Sequence, residues 1–97
     1  MNFEWDEDKN RENIRKHGLS FDKASEVFRT SLPSQPDLRE HYGEERWNGI
    51  GLLGNRIIVV TFTMPDIETK RIISLRRATR YERKKFAEEI RDRLGAD

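Results

Sequence analysis

One run of nine residues limits the folds open to this chain more than any other feature. Arg56-Ile-Ile-Val-Val-Thr-Phe-Thr-Met64 is rich in β-branched and aromatic residues and is apolar on both of its alternating faces. Such a strand belongs at the centre of a sheet, with neighbours on either edge and cover above and below. Gly54-Asn55 reads as a two-residue hairpin turn, which makes Arg46–Leu53 its antiparallel neighbour. Pro65–Thr69 turns the chain at the other end, and Lys70–Arg77 follows as the third strand of a meander. Gly49 and Gly51 interrupt the first of these strands, where glycine marks a bulge or the close approach of another backbone.

Around that meander the period changes. Phe3 and Trp5 alternate with Asn2 and Glu4 as a short first strand. Asp6 caps a helix with Glu7 and Asp8 in its first turn, Lys16 and His17 in its last, and Gly18 as a left-handed stop. Its inward stripe is thin, Ile14 flanked by Asn10, Arg11 and Gly18, so it needs a neighbour for stability. Ser20 caps a second helix that buries Phe21, Ala24 and Phe28, with Val27 at the margin. Thr30–Leu38 contains Pro33 and Pro36 and reads as loop. Thr79 and Glu82 form a capping box for a last helix, whose buried stripe is Phe86, Ala87, Ile90 and Leu94 and whose stop is Gly95. The order is β-α-α-β-β-β-α, a single compact α+β domain over residues 1–97 with an antiparallel sheet packed with helices.

Several functions are excluded by what the 97 residues contain. There is no cysteine, hence no disulfide framework, thiolate zinc site or iron–sulfur cluster. His17 and His41 are the only histidines and do not stand at helical spacing, so we expect neither a metal nor a cofactor. The longest apolar run is Ile57–Val60, far short of a membrane span, and residues 1–20 lack the apolar core of a signal peptide. We therefore expect a soluble cytoplasmic protein. The net charge of +1 conceals an asymmetry: residues 1–48 are acidic by three and residues 49–97 basic by four. Between Lys70 and Lys85, eight cations accompany the single acid Glu82. Such a block is equally a footprint for phosphate or a solvated face.

The arginines carry the chemistry. In Arg71-Ile-Ile-Ser-Leu-Arg76, strand alternation sends Ile73 and Leu75 to one face and Ile72, Ser74 and Arg76 to the other. An arginine set in a strand beside Ser74 is a fixed guanidinium facing a groove, and Arg46 at the start of the facing strand is a second. Two or three such groups with a nearby carboxylate bind a phosphodiester and stabilise the charge of an in-line displacement. RNA brings its own nucleophile, the 2′-hydroxyl, so a metal-free ribonuclease needs only positioning, positive charge and a proton acceptor and donor. His17 and Glu45 are the candidates for proton transfer. Their simpler readings are a histidine favoured by a helix dipole and a glutamate paired with an arginine. Tyr81 falls opposite the Phe86-Ile90-Leu94 stripe, among Arg77, Arg80, Arg83 and Lys84. There it can stack on a base, pack on a protein partner or cover a loop. Trp5 and Trp47 read as core.

Taken together, these motifs resemble a known family. Phe3-Glu-Trp-Asp6 with Lys9, Asn13-x-x-Lys16-His-Gly-Leu-Ser-Phe21 and Ala24-x-x-Val27-Phe28 are similar to the N-terminal half of the BrnT family of bacterial toxins. Gly43-Glu-Glu-Arg-Trp47-x-x-Ile50-Gly51 and Arg71-Ile-Ile-Ser-Leu-Arg-Arg-Ala-Thr79-x-x-Glu82-Arg83 are similar to its second half. Phe86 departs from the tyrosine often found there in the family, at a position read as buried. The resemblance implies a ribonuclease toxin of a type II toxin–antitoxin pair with a RelE-like fold. It implies a BrnA-like antitoxin with a dimeric ribbon-helix-helix region, joined to the toxin in a heterotetramer that binds operator DNA through the antitoxin. Free toxin would cleave RNA and stop translation. On this reading Arg46, Arg71, Arg76, His17 and Glu45 form the catalytic set, and Lys16, Arg77, Arg80, Tyr81, Arg83 and Lys84 hold the RNA. The alternative is an inactive nucleic-acid-binding or antitoxin-binding co-repressor, which would use the same basic face without cleavage.

Overall fold

The computed structural model describes residues 1–39 and 44–95. The elements are β1 (Asn2–Glu4), α1 (Glu7–His17), a 3-10 turn (Phe21–Lys23) running into α2 (Ala24–Arg29), β2 (Gln35–Pro36), β3 (Trp47–Leu53), β4 (Arg56–Asp66), β5 (Thr69–Arg77) and α3 (Arg80–Arg93). They form one α+β domain on a five-stranded sheet in the order β1-β5-β4-β3-β2. The doubly apolar run is the central strand, paired antiparallel to β3 and β5.

Three features depart from the expected plan. The sheet is mixed, because β1 lies parallel to β5, with Phe3 opposite Lys70. The proline-containing stretch read as loop supplies β2, which pairs Gln35 with Asn48 and Pro36 with Trp47. An edge strand tolerates Pro36 because one of its sides needs no ladder donor. Between α1 and α2, Ser20 makes no side-chain cap bond, and the chain enters α2 through the 3-10 turn.

One face of the sheet holds the core. Leu19, Phe21, Ala24 and Val27 pack on Leu53, Ile58, Val60, Phe62, Ile72 and Leu75, with Phe3, Trp5, Phe28 and Trp47 at its margin. Val27 is fully buried and Phe28 only partly so, the reverse of the expected order. Phe28 spends its position on aromatic contacts instead. It stacks on Phe3 at 5.7 Å and meets Phe62 edge-on at 5.1 Å, with Lys70 Nζ 4.3 Å from its ring centre. α2 can lie this close to β3 because Gly51 has no side chain. A Cβ there would stand 2.3 Å from the Val27 carbonyl oxygen and 3.1 Å from Ser31 Cα. Gly51→Ala must therefore push α2 off the sheet, and we expect a loss of about 2–3 kcal/mol in urea unfolding. Gly54→Ala, at φ 63° in an open hairpin turn, should lose about 1 kcal/mol.

α1 is not held by an apolar stripe. Ile14 is exposed, and the residues turned inward are Asn10 and Asn13. The reason lies in the sheet. β1 covers the outer edge of β5 only as far as Arg71, and α1 runs on along the edge beyond it. An open edge presents backbone donors and acceptors, which an apolar stripe cannot satisfy. The Asn13 carboxamide supplies both complements: Leu75 N–H donates to its Oδ1 at 3.2 Å and its Nδ2 donates to Leu75 O at 2.9 Å. Nδ2 also donates to Leu19 O, while Asn10 Oδ1 accepts from Phe21 N–H, tying α1 to the entry of α2. The helix ends are as expected, with Asp6 accepting from Asp8 and Lys9 N–H and Gly18 left-handed at φ 70°.

α3 crosses the other face. Its capping box joins Thr79 and Glu82 as anticipated, but of its expected stripe only Phe86 is buried. Ile90 is half-buried, Ala87 is exposed and Leu94 is 79% exposed.

Candidate nucleic-acid interface

The arginines of β5 are aligned by an irregularity. Val60 pairs with Leu75 and Thr61 with Ser74, but Phe62 pairs with Ile72 and Thr63 with Arg71, so Ile73 is an extra residue on β5. This bulge overturns simple alternation. Ile72 joins Leu75 in the core, and Arg71, Ser74 and Arg76 share the opposite face. Without the extra residue, Arg71 would point to the core face. With it, the two arginines flank Ser74 on one surface, whose neighbouring rows are Thr63, Thr61 with Asn48, and Val59 with Ile50. Thr61 and Thr63 are buried, and Thr61 Oγ1 donates to Asn48 Oδ1 at 2.7 Å, so the floor between the arginines is polar.

Each guanidinium is held by a carboxylate. Arg71 Nη1 donates to Glu4 Oε2 at 2.7 Å from a half-exposed position, leaving its other donors available. Arg76 is held more firmly, Nη1 to Glu82 Oε1 at 2.7 Å and Nη2 to Glu82 Oε2 at 3.0 Å. Glu82 also accepts from Thr79 N–H at 2.8 Å. The same carboxylate therefore caps α3 and fixes the arginine of β5. The hydrogen bonds from Arg76, with those at Thr79 and the nearby positive charge, hold its carboxyl down at about 2. Because the folded-state value lies below the ordinary one, the stabilisation is complete above pH 4.5 and disappears as pH falls towards 2. Screening limits it to about 1–2 kcal/mol. Urea midpoints of the wild-type chain should thus fall relative to Glu82→Gln between pH 5 and about 3. Parallel curves for the two proteins would show that the pair contributes nothing.

The other expected site residues divide into two groups. Glu45 lines a groove of about 540 Å³ with Trp47, Thr63 and Arg71, so it stands at the same surface as the arginines. Tyr81 is 69% exposed, as its helical position implied, with Lys85 Nζ 5.7 Å from its ring centre. Arg77, Arg80, Arg83 and Lys84 are exposed around the start of α3, and Arg83 Nη1 donates to Ala78 O. Arg46 sits at the foot of β3, mostly covered, with Nη2 3.6 Å from Glu44 Oε1. Its charge, after the hydrogen bonds from Arg39, helps keep the buried Asp37 carboxyl below the usual range. Lys16 and His17 are not gathered in. Lys16 pairs with Glu12, and His17 is exposed at the end of α1 with no hydrogen bond or ion pair to the arginines among the described residues. Gly43 of the second motif and His41 lie outside the described residues.

Alternation hid Arg71's true face, and the capping box gave Glu82 a helix role without its partner. The available signal was that Glu82 is the lone acid in the basic block. Among the described residues, no group of three or more His, Asp or Glu side chains is placed to hold a metal ion. No described helix is long and apolar enough to cross a membrane.

A family model described as the ribonuclease toxin BrnT of type II toxin–antitoxin systems matches residues 5–82. A search of curated proteins gave no match. Among solved structures, the chain is similar to the Brucella abortus ribonuclease toxin BrnT, determined at 1.1 Å. The two are 34% identical with a TM-score of 0.67, over 82% of this chain and 99% of the other. The match in sequence spans β3, β4 and β5, and so includes Arg46, Arg71, Arg76 and Glu82. The chain belongs to the BrnT family of ribonuclease toxins of type II toxin–antitoxin systems.

Proposed function

We propose that this toxin cleaves RNA without a metal on the sheet face that carries Arg71 and Arg76. The observation that carries the proposal is the bulge at Ile73, which aligns two carboxylate-held guanidiniums over a polar floor. Arg71, with donors to spare, takes the scissile phosphate. Arg76, fixed by Glu82, stabilises the charge that develops on the phosphoryl oxygens as the 2′-oxygen attacks and the 5′-oxygen leaves. Glu45, in the groove beside Arg71, accepts the 2′-hydroxyl proton, and the departing 5′-oxygen takes a proton from water to leave as the 5′-hydroxyl. Arg77, Arg80, Arg83 and Lys84 continue the positive surface along the strand, with Tyr81 available to stack on a base. Arg46 buttresses the start of β3 from its place between Glu44 and Asp37. Lys16 and His17 serve at most as a peripheral contact for the RNA.

The partner is a BrnA-like antitoxin that silences the toxin in the cytoplasm and carries the pair to operator DNA. The test of the chemistry is product analysis. Incubated with a defined RNA in EDTA, the antitoxin-free chain should leave 2′,3′-cyclic phosphate and 5′-hydroxyl ends, and 2′-deoxy substitution at the cut should abolish cleavage. Linear 3′-phosphate or 3′-hydroxyl ends formed only with a divalent cation would overturn the mechanism. Absence of cleavage, together with antitoxin binding, would favour the co-repressor reading.

A further inference from the structure

We infer that the second half of α3 is the seat of the antitoxin, which lays an amphipathic segment with acidic flanks along Ile57, Phe86, Ile90 and Leu94. Among the described residues, α3 is fastened to the body mainly through its first half, by the Thr79–Glu82 cap, the Arg76–Glu82 pair, the bond from Arg83 to Ala78 O and the burial of Phe86. Beyond Phe86, Ala87 and Leu94 are exposed and Ile90 is only half-buried. Ile90, Ala87 and Leu94 line a groove of about 420 Å³ whose far wall is Ile57 of β4. On the other flank of Phe86 a second groove, of about 390 Å³, runs over Leu32, Ile50 and Val59. One helix thus stands between two apolar troughs, a shape that a partner's side chains can straddle.

The charge around it identifies the kind of occupant. Glu82 and Glu89 at the groove rim are already engaged, with Arg76 and Arg93. Arg91 lines the first groove and Lys85 the second, and neither makes an ion pair among the described residues. Glu88 and Asp92 line neither groove. The rim therefore offers positive charge to a partner with carboxylates. A second copy of this chain is a poorer fit, because a two-fold contact on α3 would bring those cations against themselves. RNA is a poorer fit as well, since an apolar trough gains most from apolar side chains. The family provides the partner of the required kind, since a type II toxin has an antitoxin. The inference rests on that membership and not on the cleavage chemistry.

Leu94→Asp tests it at an exposed position and Ile90→Asp at a half-buried one. Titrated calorimetrically with the purified antitoxin of the same pair, each should bind about 30-fold or more weakly, with RNA cleavage unchanged in both and the unfolding temperature unchanged in Leu94→Asp. Lys85→Glu with Arg91→Glu should slow association and flatten its salt dependence. Unchanged antitoxin affinity in Ile90→Asp and Leu94→Asp would overturn the inference. So would loss of RNA binding in place of antitoxin binding, or loss of a toxin dimer with antitoxin affinity intact. A chain that cleaves no RNA yet loses the antitoxin on Leu94→Asp would sink the cleavage proposal alone.

Discussion

Alanine in place of Arg76 is expected to lower RNA cleavage by about 100-fold or more while the fold survives. The guanidinium is positioned by two hydrogen bonds to Glu82, at 2.7 and 3.0 Å, before any substrate arrives, so little reorganisation is needed when charge develops. Its removal leaves Glu82 with its cap bond from Thr79 and with solvent access, which keeps the stability cost at about 1 kcal/mol. Glu82→Gln separates charge from position. Glutamine can still cap α3 but loses the charged pair, so stability at neutral pH should fall by about 1–2 kcal/mol, while the loosened Arg76 should lower cleavage by about tenfold. Single-turnover cleavage beside thermal unfolding checks both variants. If Arg76→Ala cleaved at the wild-type rate, the pair would be a structural clamp and the site would lie elsewhere.

The largest effect on stability is expected at Asn13. Alanine there removes three hydrogen bonds from buried surroundings and strands the Leu75 N–H, the Leu75 carbonyl and the Leu19 carbonyl. Burying unpaired backbone groups sets the cost at about 3–4 kcal/mol, a large share of the ~5–15 kcal/mol that holds a domain of this size. Asn13→Asp should be worse, because it keeps the acceptor but puts a carboxylate against two carbonyl oxygens. Ile14→Ala, one residue away and exposed, should cost less than about 1 kcal/mol. Urea unfolding of the three variants makes the comparison. Equal losses at Asn13 and Ile14 would show that the edge of β5 does not depend on the carboxamide.

Asn13 and Ile73 mark where the sequence stops being legible. Patterning recovered the meander, the Gly54-Asn55 turn and the Asp6 and Thr79 caps, and marked Gly51 as a bulge or a close approach, of which the structure shows the second; each depends on local periodicity or on the conformational needs of one residue. It failed where the determinant lies in another element. α1 turns asparagines inward because the strand beside it has an open edge, which nothing in α1 itself records. Arg71 faces the site because β5 carries an extra residue relative to β4, and a bulge without glycine leaves no mark in alternation. Leu94 and Ala87 look like core on a helical period, and the structure leaves them open because α3 extends past the sheet contact at Phe86. The arginines were legible as a set. Which carboxylates hold them was not, since Glu4 and Arg71 are far apart in sequence and meet through a parallel strand pair.

The central claim is that RNA meets the toxin on the face shared by Arg71 and Arg76, and amide chemical-shift mapping tests it most directly. A 2′-deoxy oligonucleotide that cannot be cleaved would be titrated into the isotope-labelled, antitoxin-free chain. The account predicts saturable shifts at Asn48, Thr61, Thr63, Arg71, Ser74 and Arg76, weakened in Arg71→Ala. Shifts confined to Lys16, His17 and the end of α1, with the β5 face silent, would contradict it.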